Sequence, residues 1–129
     1  RKDASAVQQV ESLAAASQIP VERLDKGTLN AMCANRPHQG LVLLTDPLGF
    51  EPLSSLPEPK SPASVWLALD EVTDPQNLGA LVRSALFLGV DGILVSEKNS
   101  APLSPVVSKA SAGAMELMTV HASRNLVKT

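Results

Sequence analysis

Between residues 78 and 90 the chain reads "LGALVRSALFLGV", apolar or small at nearly every position, with one permanent charge, Arg83, near its middle. The run opens after "DPQN" and closes before "DG", a helix-start and a turn signal, so the pattern predicts a helix over 74–89. Two short, unbroken apolar runs flank it, "SVWLALD" (64–70) and "DGILVS" (91–96), with the length and β-branched content of buried strands. Beyond them "SPVVSKASAGAME" (104–116) reads as a second helix, "LMTVHA" (117–122) as a third strand, and "SRNLVKT" as the start of a further helix. Strands alternating with helices imply a parallel sheet of three strands at most, with right-handed crossovers. In such sheets ligands collect beyond the carboxyl ends of the strands, which here is where "DEVTDPQN" falls.

The first third of the chain carries weaker periodicity. "ASAVQQVESLAAAS" places Val7, Val10 and Ala14 at helical spacing, and Pro20 disfavours helix at Ile19, so a helix ends near Ser17. "IPVERLD" (19–25) then reads as a short strand, "KGTLNAMCA" as a short helix and "GLVLLTD" (40–46) as a buried strand. Between residues 46 and 63 five prolines, at 47, 52, 57, 59 and 62, each remove an amide donor and restrict a neighbour. Regular structure is not expected there. The predicted organisation is a small αβ piece over 1–46, a Pro-rich linker over 47–63 and a larger α/β piece over 64–129.

Composition narrows the chemistry. Lys+Arg 11 against Asp+Glu 13 gives a net charge of -2, so a nucleic-acid partner would have to be held by local charge. Aromatic residues make up 2%, too few for a base-stacking platform. A single cysteine and two histidines provide no disulfide and no metal-ligand spacing, and no apolar run is long enough to span a bilayer. No G-x-G-x-x-G or G-x-S-x-G motif occurs, which disfavours a common dinucleotide fold and a serine-nucleophile hydrolase.

Candidate chemistry therefore rests on the stretch around 70–90. Asp74 and Pro75 are a cap and a first helical residue, and Asn77 follows in the first turn. Gly79 within a helix costs roughly 1 kcal/mol against alanine, so something approaches the backbone there. Arg83 has Gly79, Ala80, Leu86 and Phe87 one turn to either side, none of them acidic. Three readings stay open: a snorkel to solvent along its aliphatic stem, an ion pair with Glu116, the one carboxylate in an apolar context later in the chain, or an anion supplied by a substrate. "NRPHQG", with Arg36 and His38, reads as a solvated loop.

These residues resemble a known signature. "LDEVTDPQNLGALVRSALFLGV" is similar to the first motif of the SpoU-type RNA 2'-O-ribose methyltransferases of the SPOUT superfamily, through Leu69, Asp70, Val72, Asp74, Pro75, Asn77, Gly79, Arg83, Ala85 and Gly89. The likeness continues through Ser111, Gly113, Ala114 and Glu116, while "IPVERLDKGTLNAMCANRPHQGLVLL" resembles the end of the L30e-like RNA-binding domain of the ribosomal-RNA branch. The resemblance implies a partial L30e-like domain joined to an incomplete Rossmann-like parallel α/β domain of the SPOUT type. Its knot-forming part and S-adenosylmethionine pocket are expected beyond Thr129, so the chain alone is expected to be inactive. It further implies S-adenosylmethionine as methyl donor, with Asn77, Arg83 and Glu116 as catalytic residues. Arg36, His38, Lys98 and Lys109 are the expected RNA contacts, and a homodimer the expected assembly. The resemblance also implies a mitochondrial setting and, as target, a guanosine of large-subunit rRNA. Two rival readings are a non-catalytic RNA-binding module and a phosphate-ligand-binding α/β domain of another enzyme.

Overall fold

The computed structural model describes residues 4–59 and 61–129, in two compact units divided between Thr45 and Asp46. The first unit is helical. α1 (Ala4–Ala16) and α2 (Lys26–Met32) form as the pattern requires, and no residue of either is buried. Asp25 caps α2, its carboxylate accepting from the amides of Gly27 and Thr28 and from the Thr28 hydroxyl. The Thr28 hydroxyl, followed by the two amides, holds the Asp25 carboxyl below its ordinary range. The strands expected over 19–25 and 40–46 do not form, and Leu43 and Leu44 stand exposed. An apolar run becomes a strand only when a neighbour completes its ladder of hydrogen bonds, and neither segment has one among the described residues of this unit.

The second unit holds a four-stranded parallel sheet in the order β1-β4-β3-β2, where β1 is Glu51–Pro52, β2 Trp66–Leu69, β3 Gly92–Ser96 and β4 Val120–Ser123. The Pro-rich stretch thus contributes a strand that its prolines argued against. Proline is tolerated in an edge strand, where one side of the backbone needs no partner, and β1 is at the edge. Leu53 extends the pairing by donating its amide to the Ala122 carbonyl at 2.9 Å. The C-terminal "SRNLVKT" makes turns instead of a helix, with Asn125 accepting from the amides of Lys128 and Thr129.

One face of the sheet carries the core. Leu69, Ile93, Val95 and Val120 pack against Leu78, Val82 and Ala85 of α3 (Pro75–Leu88) and Val107 of α4 (Pro105–Ser111). Burying each such aliphatic side chain is worth roughly 1.5–3 kcal/mol. On the other face the Trp66 ring lies 5.5 Å from His121, over Gly92, where an added Cβ would meet the indole at 2.5 Å. The helix expected over 104–116 is two. Ala112 and Gly113 both turn left-handed, with φ of 53° and 89°, ending α4 and starting α5 (Ala114–Leu117) on a new axis. Ser111 bridges the break by donating to the Ser108 carbonyl and accepting from the Met115 amide.

Candidate active site at the carboxyl edge of the sheet

β2 ends at Leu69, and the chain turns into α3 through Asp70–Asp74. Asp74 caps the helix by accepting from the Gln76 amide at 2.8 Å, Pro75 occupies the first helical position and Gly89 ends it in the left-handed conformation. Asn77 is thereby fixed in the first turn, exposed, in a groove lined by Glu71, Val72, Thr73, Asp74, Asn77, Ala80 and Leu81. The groove lies where the topology places ligands in open parallel sheets.

Glu71 reaches the groove in an unusual way. Its φ is 51°, a left-handed conformation that costs a non-glycine residue about 1–3 kcal/mol. Contacts from the loop after β3 hold it. The Glu71 amide donates to Ser96 Oγ at 2.8 Å, and Asn99 Nδ2 donates to Glu71 Oε1 at 2.9 Å. Asn99 is itself left-handed, at 60°. The sequence offered no signal for this pair, because neither residue is a glycine and they stand 28 positions apart.

Gly79 explains how α3 meets α4. A Cβ there would sit 2.5 Å from Ala110 Cβ and 2.8 Å from the Val107 carbonyl, so the close approach inferred from the sequence is between helices. One turn on, Arg83 lies exposed on α3 and donates through Nη1 to the Ala110 carbonyl at 3.3 Å, in the last turn of α4. That contact supplies a donor to a helix end that lacks one and leaves most of the guanidinium fork unused. The Arg83–Glu116 ion pair that the sequence allowed is absent among the described residues. Glu116 is in α5, exposed, and the break at 112–113 sets its direction independently of α4. α5 packs on α3, yet no hydrogen bond joins Asn77, Arg83 and Glu116 among the described residues.

The expected RNA contacts are placed variously. Arg36, Lys98 and Lys109 are exposed. His38 is not solvated as expected but half-buried, with both ring nitrogens engaged: Nδ1 accepts from the Gly40 amide at 3.1 Å and Nε2 faces Asn30 Oδ1 at 2.9 Å. With both nitrogens so engaged, this histidine ties Asn30 to Gly40 and shapes its loop. No group of three or more metal-ligating side chains occurs among the described residues.

Residues 64–129 match the SpoU rRNA Methylase family, and residues 1–50 match a family described as RNA 2'-O ribose methyltransferase substrate binding. Among curated proteins the chain is similar to rRNA methyltransferase 1, mitochondrial, of Homo sapiens, at 45% identity over 117 residues, covering 88% of this chain and 33% of that protein. The chain thus spans about a third of that relative's length. Among solved structures, the AdoMet-bound rRNA methyltransferase from Sinorhizobium meliloti aligns with a TM-score of 0.50 at 27% identity, over 57% of this chain and 28% of its own. An rRNA methyltransferase from the same organism aligns over 93% of this chain and 46% of its own with a TM-score of 0.66; at 21% identity this shows a shared fold.

Proposed function

Because the chain belongs to the SpoU rRNA methylase family, we propose that the whole protein transfers a methyl group from S-adenosylmethionine to a ribose 2'-oxygen of rRNA. Membership sets aside the reading of 64–129 as a phosphate-ligand domain of an unrelated enzyme. In this proposal 1–46 is the substrate-binding part and 64–129 belongs to the methyltransferase domain, with 47–63, expected as a linker, joining them and lending β1 to its sheet. That the human relative is a mitochondrial rRNA methyltransferase supports a mitochondrial setting, and on the resemblance of the first motif we take a guanosine of large-subunit rRNA as the target. The exposed apolar side chains Phe87 and Leu88 on α3 suit burial in a homodimer.

Bound S-adenosylmethionine would supply an electrophilic methyl, and no residue of this chain is assigned to holding it. What this chain contributes is position and charge. A 2'-hydroxyl becomes a competent nucleophile as its proton leaves, and fixed positive charge beside it stabilises the oxyanion. An arginine does not give up its proton in a protein, so Arg83 acts as a cation: its free fork holds the neighbouring phosphate in bidentate fashion. Asn77, in the first turn of α3, and Glu116, on α5, are the other two residues assigned to the reaction. Arg36, Lys98 and Lys109 hold RNA phosphates, and His38 sets the shape of its loop.

The observation that carries this reading is an exposed guanidinium on an apolar helix, engaged by one long carbonyl contact and no carboxylate among the described residues. In the whole protein, Arg83→Ala is expected to lower single-turnover methylation of rRNA by ~10²–10³ with the melting temperature nearly unchanged, and Arg83→Lys to stay slow for lack of the fork. Had Arg83 and Glu116 formed a buried pair, removing either would cost roughly 3–5 kcal/mol of stability. Methylation at the wild-type rate by Arg83→Ala would overturn the assignment. RNA binding without methyl transfer by the wild type would favour the non-catalytic module.

A further inference from the structure

We propose that Glu71 and Asn99 form a latch across the carboxyl edge of the sheet that positions Asn77 and the first turn of α3, a role that rests on the methyl-transfer reading above. The loop after β2 is tied to the end of β3 and the loop that follows it by three contacts within six residues. Ser96 Oγ accepts from the Glu71 amide at 2.8 Å and lies 3.1 Å from Ser100 Oγ; Asn99 Nδ2 donates to Glu71 Oε1 at 2.9 Å; the Ala101 amide donates to the Val72 carbonyl at 2.8 Å. Ala101 is buried in the core, so the second loop is anchored at its far side. The latch therefore transmits the position of β3 to the loop that opens α3.

The conformation of the two residues argues for more than a surface tie. Both stand at left-handed φ, where glycine would be relaxed, and the side chains that make this costly are the ones that join. Downstream there is little slack. Asp74 caps the helix, Pro75 has its φ locked by its ring, and Asn77 follows two residues later. A shift at Glu71 is passed to Asn77, and Glu71 and Asn77 line one groove. Misplacing a substrate-positioning group by ~1 Å can cost about 10²-fold in rate, so a latch six residues from Asn77 can matter without touching substrate.

Glycine at either position adopts the same backbone without strain, which lets the latch be deleted cleanly. In the whole protein, Glu71→Gly and Asn99→Gly are each expected to lower single-turnover kcat by ~10- to 100-fold with KM for rRNA within about twofold, and the double variant to be no slower than the worse single one. Their melting temperatures should not fall. Glu71→Gln keeps an oxygen for Asn99 and should restore the rate. Hydrogen exchange at the amides of 72–74, 76 and 77 should quicken in both glycine variants whether or not the enzyme turns over. A wild-type protein that transfers no methyl would sink the functional reading alone, and the latch would then stand or fall on exchange. Unchanged exchange at those amides, a wild-type rate in both glycine variants, or Glu71→Gln as slow as Glu71→Gly would each overturn the latch.

Discussion

Single atoms decide how closely α3 and α4 approach. Gly79 has two walls, the methyl of Ala110 and the backbone of Val107 and Ser111, and backbone cannot rotate out of the way. Gly79→Ala should therefore destabilise the fold by about 1–3 kcal/mol, although alanine is the better helix former, because overpacking outweighs a propensity gain of ~1 kcal/mol. Denaturant unfolding would show this as a lower midpoint at constant slope, and a midpoint equal to or above wild type would mean that the helices part at little cost. Arg83 donates to the same short helix that Gly79 admits, so the approach also sets the guanidinium's place at the end of α4.

At the level of elements, the linker is only partly a linker. β1 pairs with β4, and Leu53 continues the contact, so limited proteolysis should cut between residues 54 and 63 and spare 50–53. Preferential cleavage at 50–53 would mean that the edge pairing is transient. The parts of the fold that could be read from sequence are those whose causes are local. Asp74, Pro75 and Gly89 mark the ends of α3, and the unbroken apolar runs mark β2 and β3 as strands, although only β3 is buried along its length while β2 buries Leu69 and exposes Ala68. What escaped depended on distant neighbours. Pro52 could be a strand residue only because β4 lies beside it, and the runs over 19–25 and 40–46 lacked any such neighbour. Ala112 gives no sign of a left-handed turn, so one helix was expected where there are two. Around the candidate site, Asn77 and Arg83 were visible as polar residues on an apolar helix. Glu71 and Asn99 were not, since their meaning lies in backbone angles and in each other.

The 129 residues carry a net charge of -2, so under the proposed function their hold on RNA would come from a few placed cations, not from an overall field. Each phosphate contact steepens the salt dependence of binding, and Lys98→Ala in the whole protein should flatten the plot of log affinity against log salt by about 0.7–0.9. An unchanged slope would remove Lys98 from the interface. The register of the sheet also bears on the order in which it is made. β2 pairs with β3, and β3 with β4, across spans bridged by helices, but Glu51 has its partner at His121. At ~5–20 residues per second of synthesis, the separation of 121 − 51 = 70 positions keeps the first-made strand waiting for roughly 4–14 s. The segment that emerges earliest in this unit is the last to find its place. Two of the prolines that flank β1, at 47 and 57, are unsuited to chance ladders during that wait.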